Sequence, residues 1–395
     1  MADTEQLPPV AFSRPALGKV EEEAVIEVMR SGWLTTGAVC ARFEEEFARA
    51  VGKRHALALN SATAGLHLGL EAVGVAPGSA VITTPYTFAS SAEVVRYLGA
   101  DPVFVDIDEA SLGIDPVALE RTLEKTAKKR RVAAIIPVHV AGRPCDMETI
   151  GHIALRYGVP VVEDAAHCCP VSLGGRIVGA DGDVGVYSFY ATKAITTGEG
   201  GMVVTDRDEV ARRIRVMRLH GIDRDVWNRY TDTGASWRYD VVAPGYKYNL
   251  TDMAAAIGRV QLVRAAELLE KRRAVVCRYI AAFSGLDFLR VPEWSETHAW
   301  TLFIVRVQEK KLSIGRDEFI TELQRRGIGT SVHFIPLHTM SYYREKYGLA
   351  PEDFPVALRC YRSAISLPLS ASLTDEEVER VIQAVTEIGA EHRRR

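Results

Sequence analysis

The sequence predicts an α/β protein in which a mostly parallel sheet, covered by helices, is followed by a smaller α+β unit. Between about residues 43 and 205, helical patterns alternate with short β-branched runs, as in strands joined by crossover helices. Near-continuous apolar runs such as Ile135–Val140 indicate strands that are buried on both faces. The chain has 395 residues, a length typical of about two or three domains.

The predicted strands of the larger unit are short, and each is flanked by helical segments. They are Ala80–Thr84, Val103–Asp106, Ala133–Val140, Val159–Glu163, Val184–Phe189 and Met202–Thr205. Ligands of open α/β sheets bind beyond the carboxyl ends of the strands. We therefore expect the functional residues to follow these runs directly.

The pattern changes after the last of these strands. The stretch Gly221–Tyr248 is polar, contains aromatic residues and has no clear period, which predicts a long functional loop. A helix capped by Asn249 or Thr251 is then predicted to continue to about Ala282. A helix of this length can bridge two domains, and we place the domain boundary near Arg272.

This boundary divides the chain into an N-terminal segment (1–30), a large domain (31–271) and a small C-terminal domain (272–395). In the small domain we expect two strands and two helices. These are the strands Leu302–Val307 and Thr330–Phe334, a helix over Arg316–Arg326, and a final helix after Thr374.

Charge and composition exclude several classes of function. The 48 Lys and Arg residues are balanced by 51 Asp and Glu residues, so no basic field favours nucleic acid or an anionic membrane, and we expect a small-molecule partner. The apolar runs are far shorter than the roughly 20 residues of a membrane helix, and the N-terminus lacks the pattern of a signal peptide. A cytoplasmic location follows, in which the six cysteines are expected to be reduced thiols.

The first candidate site is the run of small and polar residues from Asn60 to Gly65, which leads into a helical pattern. Free backbone N–H groups at a helix N-terminus bind anions, so this segment suits a phosphate group. A Ser or Thr cap without any ligand is the alternative interpretation.

The second candidate is the acidic pair that closes a buried strand at Glu163 and Asp164. A carboxylate at this point can pair with a protonated ring nitrogen of a cofactor. His167 can then orient that carboxylate or stack on the ring. The alternative is that Asp164 only caps the next helix.

The third candidate is Lys193, which follows the strand that ends near Ser188. A lysine in a partly desolvated pocket has a lowered pKa and can form a Schiff base with a carbonyl group. Most lysines instead face solvent. Taken together, a phosphate cradle, an acid at a strand end and a lysine at the next strand end are the parts that pyridoxal phosphate chemistry requires.

A fourth candidate is Phe88, which can stack against a pyridine ring or pack as an ordinary core aromatic residue. Other motifs are absent from the sequence. The glycines near Gly200 fit neither nucleotide-binding loop pattern, and no zinc motif or serine-hydrolase elbow occurs. No metal site is expected.

Several motifs, in the right order over nearly the whole chain, resemble the nucleotide-sugar aminotransferases of the DegT family. They are Gly32–Gly37, Ser61–Gly65, Pro137–His139, Glu163–His167, Ser188–Phe189 with Lys193, Glu199–Gly201 and Gly245–Asp252. Within the family, the sequence is most similar to enzymes that aminate C4 of UDP-linked 4-keto sugars, including the one that makes 4-amino-4-deoxy-L-arabinose for lipid A. The first, fourth and last motifs carry this closer similarity.

The resemblance implies a PLP-dependent transferase of fold type I, with a seven-stranded type of sheet, that forms a homodimer whose active sites are each built from both chains. It implies that Lys193 forms the Schiff base with pyridoxal 5′-phosphate and that Asp164 pairs with its ring nitrogen. The remaining implied contacts are Ala62, Thr63 and Ser188 with the phosphate, Phe88 and His167 with the ring, Lys247 or Asn249 of the second chain with the phosphate, and His333 with the substrate. A structural role for His333 stays open.

The activity that this resemblance implies is a ping-pong transamination with glutamate as amino donor and a nucleotide-linked keto sugar as acceptor. The product is an amino sugar for a cell-surface polysaccharide or lipid A. Amination at C3 of a dTDP-linked keto sugar is the nearest alternative. Deoxygenating relatives carry histidine at the position of Lys193, which argues against that activity. A cofactor-binding sensor without turnover is the alternative from another class.

Overall fold

The computed structural model describes residues 8–223 and 239–394. Most of the predicted loop Gly221–Tyr248 therefore lies outside the described residues. None of the helices within these two ranges combines the length and apolar character needed to cross a lipid bilayer.

Helices and strands alternate through the first part of the described chain. The helices are α1 (Lys19–Ser31), α2 (Ala38–Val51), α3 (Ala62–Ala72), α4 (Ser90–Tyr97), α5 (Pro116–Ala127), α6 (Met147–Tyr157), α7 (Asp208–Met217), α8 (Asp252–Val263), α9 (Ala265–Phe283), α10 (Arg316–Arg325), α11 (Ser341–Tyr347), α12 (Pro355–Ser363) and α13 (Asp375–Glu391). The strands are β1 (His55–Leu59), β2 (Ala80–Thr83), β3 (Asp101–Phe104), β4 (Val132–Ile136), β5 (Val162–Asp164), β6 (Val184–Ser188), β7 (Gly201–Thr205), β8 (Leu289–Arg290), β9 (Phe303–Val307) and β10 (Ala364–Leu367).

The large sheet has the strand order β1-β7-β6-β5-β4-β2-β3. Two groups of strands, β1-β7-β6-β5 and β4-β2-β3, are joined by parallel bridges from Ile135 to Val161 and from Val138 to Asp164. Strand β7 is antiparallel to both of its neighbours, and the other strands share one direction. The predicted α/β fold with a mostly parallel sheet is confirmed.

The central strands are buried along their whole length, as their apolar composition predicts. Every residue of β2, β4 and β7 is buried. This burial requires layers of helices on both faces, and α3 is packed closely enough to need glycine. A Cβ atom at Gly65 would lie 2.6 Å from Cγ1 of Val186 in β6. The N-terminus of α3 is thereby held at the carboxyl end of the sheet.

The N-terminus of α2 is capped by a residue that is distant in sequence. Gly37 precedes the helix and has no side chain, and the carboxylate of Asp252 accepts hydrogen bonds from the N–H groups of Gly37 (2.7 Å), Val39 (3.2 Å) and Cys40 (2.9 Å). A carboxylate is favourable at this end of a helix because it satisfies free N–H groups. The contact joins two of the motifs noted in the sequence.

The long helix predicted from Asn249 or Thr251 begins after Thr251, whose side chain accepts a hydrogen bond from the N–H of Ala254. It is interrupted at Arg264, which separates α8 from α9. The sequence predicts a helix that runs with few breaks to about Ala282, and the structure agrees, with one break at Arg264 and an end at Phe283.

The domain boundary near Arg272 stays a prediction, and the packing of α9 supports it. Leu268 and Leu269 belong to a buried cluster beside the large sheet. Val276 and Tyr279, about two to three turns further along, belong to the cluster around the C-terminal sheet. The helix therefore changes from one core to the other on either side of Arg272.

The C-terminal part contains an antiparallel sheet of β8, β9 and β10 with α10 and α13 packed in the same core. The predicted strand Thr330–Phe334 is wrong. Only Ser331 is paired, with Ser366, because the chain turns away toward the large sheet. The carbonyl oxygen of His333 accepts a hydrogen bond from the hydroxyl group of Tyr86 instead of a strand partner.

Candidate active site

A cavity of about 450 Å³ lies beyond the carboxyl ends of the large sheet's strands. Eight of the ten predicted site residues line it. They are Ala62, Thr63, Phe88, Asp164, His167, Ser188, Lys193 and His333. The other lining residues, for which the sequence predicts no role, include Thr87, His139, Tyr190, Glu199 and Phe334. The volume of the cavity lies within the range typical of small-molecule binding sites.

The N-terminus of α3 forms one wall of the cavity. The side chain of Ser61 caps the helix by accepting from the N–H of Ala64 (3.1 Å). The N–H groups of Ala62 and Thr63 have no acceptor within the helix and line the cavity. A Cβ atom at Gly201 would lie 2.5 to 2.6 Å from the backbone of Ser61 and Ala62, so only glycine permits this arrangement. Such a helix start fits a phosphate group.

Asp164 ends β5 and presents its carboxylate to the cavity. Its Oδ1 accepts from the N–H of Ala166 (3.1 Å), and its Oδ2 accepts from the hydroxyl group of Ser91 (2.7 Å). No helix begins after Asp164 until α7, so the alternative interpretation as a helix cap is wrong. The carboxylate is instead held in place by two donors.

His167 is buried beside Asp164 and is neutral. Its Nδ1 accepts a hydrogen bond from the N–H of Ala141 (3.1 Å), which leaves the proton on Nε2. Burial and the charge of Lys193 hold its pKa well below the usual range. The ring is stacked on Phe334 at 5.7 Å between centroids. His167 thus presents a flat, uncharged face near the cavity.

Lys193 follows β6 in a turn and lines the cavity, so the interpretation as a solvent-facing lysine is wrong. Its removal from water lowers its pKa to about 8, while the charge of Asp164 opposes this change. The guanidinium group of buried Arg272 donates to the carbonyl oxygens of Lys193 (3.0 Å) and Ala194 (2.9 Å). Sequence reasoning missed this role of Arg272, because nothing in a helical pattern indicates which distant carbonyl an arginine meets.

Phe88 and Ser188 line other parts of the cavity wall. Phe88 is 64% exposed, so it is not a core aromatic residue and its ring is free to contact a ligand. The side chain of Ser188 accepts from the N–H of Tyr190 (3.3 Å), and its hydroxyl proton stays available as a donor.

His333 lines the cavity from the C-terminal part of the chain. Its Nδ1 lies 2.8 Å from Oγ of Ser366. Burial, together with the charge of Lys193, lowers the pKa of His333 to about 4, so the ring is neutral near pH 7. The side chain therefore meets the cavity with an uncharged nitrogen.

Lys247 and Asn249 do not line the cavity of their own chain. Nζ of Lys247 donates to Oδ1 of Asn249 (2.5 Å), and Nδ2 of Asn249 donates to Oγ1 of Thr36 (2.6 Å). After these contacts the amide group of Asn249 keeps one N–H donor, and the ammonium group of Lys247 keeps two.

A buried pair beneath the cavity was also missed. Nε2 of His139 lies 2.8 Å from Oε2 of Glu163, and both side chains are fully buried. Nδ1 of His139 accepts from the N–H of Cys145 (3.1 Å), so His139 donates from Nε2 to the carboxylate. The backbone turn that begins at His139 is closed by a hydrogen bond from the N–H of Gly142 to the carbonyl oxygen of His139, and it places Ala141 against His167. In residues 8–223 and 239–394, no cluster of three or more His, Cys, Asp or Glu side chains is arranged to hold a metal ion.

Comparisons with known proteins agree with this geometry. Residues 15–386 match the model of the DegT/DnrJ/EryC1/StrS aminotransferase family. The spore coat polysaccharide biosynthesis protein SpsC of Bacillus subtilis is 46% identical over 95% of this chain and 96% of its own length.

Solved structures share the whole fold. Spr1654 from Streptococcus pneumoniae, assigned as a sugar aminotransferase and solved in its PMP form, has a TM-score of 0.88 at 30% identity and covers 98% of this chain and 99% of its own. It has also been solved in a PLP form. Helicobacter pylori PseC, an aminotransferase involved in the biosynthesis of pseudoaminic acid, has a TM-score of 0.89 at 28% identity, with coverage of 97% of this chain and 100% of its own.

The family match spans nearly the whole chain, and the neighbours share both its fold and its length. This chain therefore belongs to the DegT/DnrJ/EryC1/StrS aminotransferase family and is a pyridoxal-phosphate-dependent aminotransferase.

Proposed function

We propose that this enzyme transfers the amino group of glutamate to C4 of a UDP-linked 4-keto sugar and so supplies an amino sugar for a cell-surface polysaccharide or lipid A. The observation that carries the proposal is that one cavity combines Lys193, the carboxylate of Asp164 and the free N–H groups of α3. The relatives support a sugar substrate, since SpsC is named for polysaccharide biosynthesis and PseC for pseudoaminic acid biosynthesis. The motifs that resemble C4 aminotransferases support the finer assignment.

The residues of the cavity fit the cofactor in charge and shape. Pyridoxal phosphate, when bound, supplies a conjugated ring that delocalises the negative charge formed at the reacting carbon. The first turn of α3 and the hydroxyl group of Ser188 would hold its phosphate. Asp164 would keep its ring nitrogen protonated, and Phe88 and His167 would flank the ring.

Lys193 is proposed to link the cofactor covalently and then to move protons. With the cofactor bound, the amine of Lys193 would take the proton from Cα of the amino donor as a general base, and in its protonated form it would return that proton as a general acid. A general base works best when its pKa lies near the working pH. Burial lowers the pKa of Lys193 to about 8, which is close to a neutral working pH. His333, held by Ser366, is proposed to contact the sugar substrate.

We also propose a homodimer in which Lys247 of one chain contacts the cofactor phosphate of the other. Sequence motifs alone do not decide between Lys247 and Asn249. The contacts favour Lys247, because its charged ammonium group keeps two N–H donors, whereas the neutral amide group of Asn249 keeps one. Asn249 would orient Lys247 by accepting a hydrogen bond from its ammonium group. Thr36 would fix Asn249 by accepting a hydrogen bond from its amide nitrogen.

The function predicts a specific amino transfer. The protein loaded with pyridoxal phosphate is incubated with ¹⁵N-glutamate and a panel of UDP- and dTDP-linked 3-keto and 4-keto sugars, and the products are identified by NMR. We expect ¹⁵N at C4 of a UDP-linked sugar. The Lys193→Ala variant should lose about 10²-fold or more of the rate because its acid–base group is gone, while Lys128→Ala, a change on the surface, should keep it.

Amination only at C3 of a dTDP-linked sugar would overturn the UDP and C4 assignment. A protein that binds the cofactor but transfers nitrogen to no sugar in the panel would overturn the proposed function, and a fully active Lys193→Ala variant would overturn the role of Lys193.

The lowered pKa of Lys193 predicts an unusual pH dependence. Only the neutral amine reacts with acetic anhydride, so reactivity rises with pH through the pKa. In the cofactor-free protein, labelling of Lys193 followed by mass spectrometry should reach half its maximum near pH 8. Lys128, whose pKa is raised by a hydrogen bond to Glu124, should react only at much higher pH.

Replacement of Asp164 by Asn removes the charge that raises the pKa of Lys193. The half-labelling pH should therefore move below that of the unaltered protein. A midpoint for Lys193 near the ordinary lysine value of 10.5, or an upward shift in Asp164→Asn, would show that this electrostatic account is wrong.

Shared active sites predict that two inactive variants complement each other. In a mixed dimer of Lys193→Ala and Lys247→Ala chains, one site carries both changes and the other carries neither. Co-refolding equal amounts should therefore restore about one quarter of the wild-type activity, because about half of the dimers are mixed and each has one intact site.

The matched control is Lys193→Ala mixed with an Asn249→Ala, Lys247→Ala double variant, which should give the same recovery. Each variant alone sets the baseline. A mixture no more active than the sum of its separate components would mean that Lys247 does not serve the partner's site.

A further inference from the structure

The carboxylate of Asp164 accepts a hydrogen bond from the hydroxyl group of Ser91, a residue that the proposed function does not use. Ser91 lies in the first turn of α4 and is completely buried. Its Oγ lies 2.7 Å from Oδ2 of Asp164 and 2.7 Å from Oγ1 of Thr87. Thr87 is 2% exposed and Asp164 4% exposed, so solvent does not reach these contacts.

The direction of these hydrogen bonds follows from the groups present. An ionised carboxylate only accepts hydrogen bonds, so the hydroxyl proton of Ser91 must point to Asp164. The oxygen of Ser91 is then left as an acceptor, and Thr87 must donate to it. The result is a chain of donors from Thr87 through Ser91 to Asp164. A donor to a charged acceptor is stronger than one between neutral groups.

The same turn also carries the aromatic residue at the cavity rim. The N–H of Ser91 donates to the carbonyl oxygen of Phe88 (3.3 Å). Ser91 therefore connects the backbone of Phe88, which is proposed to flank the cofactor ring, to the carboxylate of Asp164, which is proposed to pair with the ring nitrogen. The backbone of Ser91 makes the first of these contacts and its side chain makes the second.

We propose that Ser91, supported by Thr87, is a positioning residue that fixes the orientation and charge of Asp164 for the cofactor ring. This inference rests on the proposed function, because it takes Asp164 as the partner of the ring nitrogen. Without the hydroxyl group, Oδ2 loses its donor and the carboxylate is held only by the N–H of Ala166 at Oδ1. The proton shared with the ring nitrogen is then drawn toward the carboxylate. Both cofactor binding and the electronic state of the bound ring then change.

The test compares Ser91→Ala with Ser91→Thr, which keeps the hydroxyl group, and with Thr87→Val, which removes the second donor. The matched control is Ser79→Ala. Ser79 is also buried, and its hydroxyl group donates to the carbonyl oxygen of Ala76 (2.6 Å), but it does not line the cavity. Three quantities are measured: the dissociation constant of pyridoxal phosphate, the pH titration of the bound-cofactor absorbance, and the unfolding midpoint of the cofactor-free protein.

We expect Ser91→Ala to weaken binding of pyridoxal phosphate by about tenfold or more, the size typical of a hydrogen bond to a charged group, and to shift the pH midpoint of the absorbance. Thr87→Val should change both quantities in the same direction by a smaller factor. Ser91→Thr should restore both. Ser79→Ala should lower the unfolding midpoint and leave both cofactor readouts unchanged.

Unchanged binding and an unchanged titration in Ser91→Ala would overturn the inference, as would cofactor effects of equal size in Ser79→Ala. If Ser91→Ala does not fold, the Thr87→Val result decides, and no change there would equally overturn it. These outcomes leave amino transfer by the wild-type protein untouched. A wild-type protein that binds the cofactor but transfers no amino group would contradict the proposed function alone.

Discussion

The candidate active site depends on one electrostatic arrangement, in which the carboxylate of Asp164 and the amine of Lys193 line one cavity and are both largely buried from solvent. Burial disfavours the charged form of Lys193 and the nearby carboxylate restores part of that cost, which together set a pKa of about 8. Ser91 and Ala166 donate hydrogen bonds to this carboxylate and hold it in place. Two neutral histidines, His167 and His333, complete the cavity without adding a competing positive charge.

This arrangement requires several strands to end at the same edge of the sheet. Strand β5 delivers Asp164, β6 leads to the turn of Lys193, and the helix after β1 delivers the free N–H groups. Glycine makes the packing possible where backbones meet. Gly65 lets α3 lie on the sheet, and Gly201 lets the start of β7 pass against the first turn of α3. A methyl group at either position would push the first turn of α3 away from Lys193.

Much of this could be predicted from the sequence, because the signals are local. Buried apolar runs indicate the strands, and the residues at or just after the end of a strand line the cavity. The positions of Asp164 and Lys193 relative to β5 and β6 therefore predict that both lie there. Ser91 and Arg272 could not be predicted, since their partners lie 73 and 79 residues away and helical periodicity does not reveal them. The predicted strand Thr330–Phe334 had suitable composition, but tertiary contacts of its backbone prevented pairing.

We propose that Lys193 is the residue that holds the cofactor covalently. Treatment of the protein with pyridoxal phosphate and then sodium borohydride makes a lysine–cofactor link permanent, and peptide mass spectrometry identifies the modified residue. We expect a stoichiometric phosphopyridoxyl group on Lys193, and glutamate added before the reduction should prevent this labelling. A stoichiometric label on any other lysine, or none at all, would contradict it.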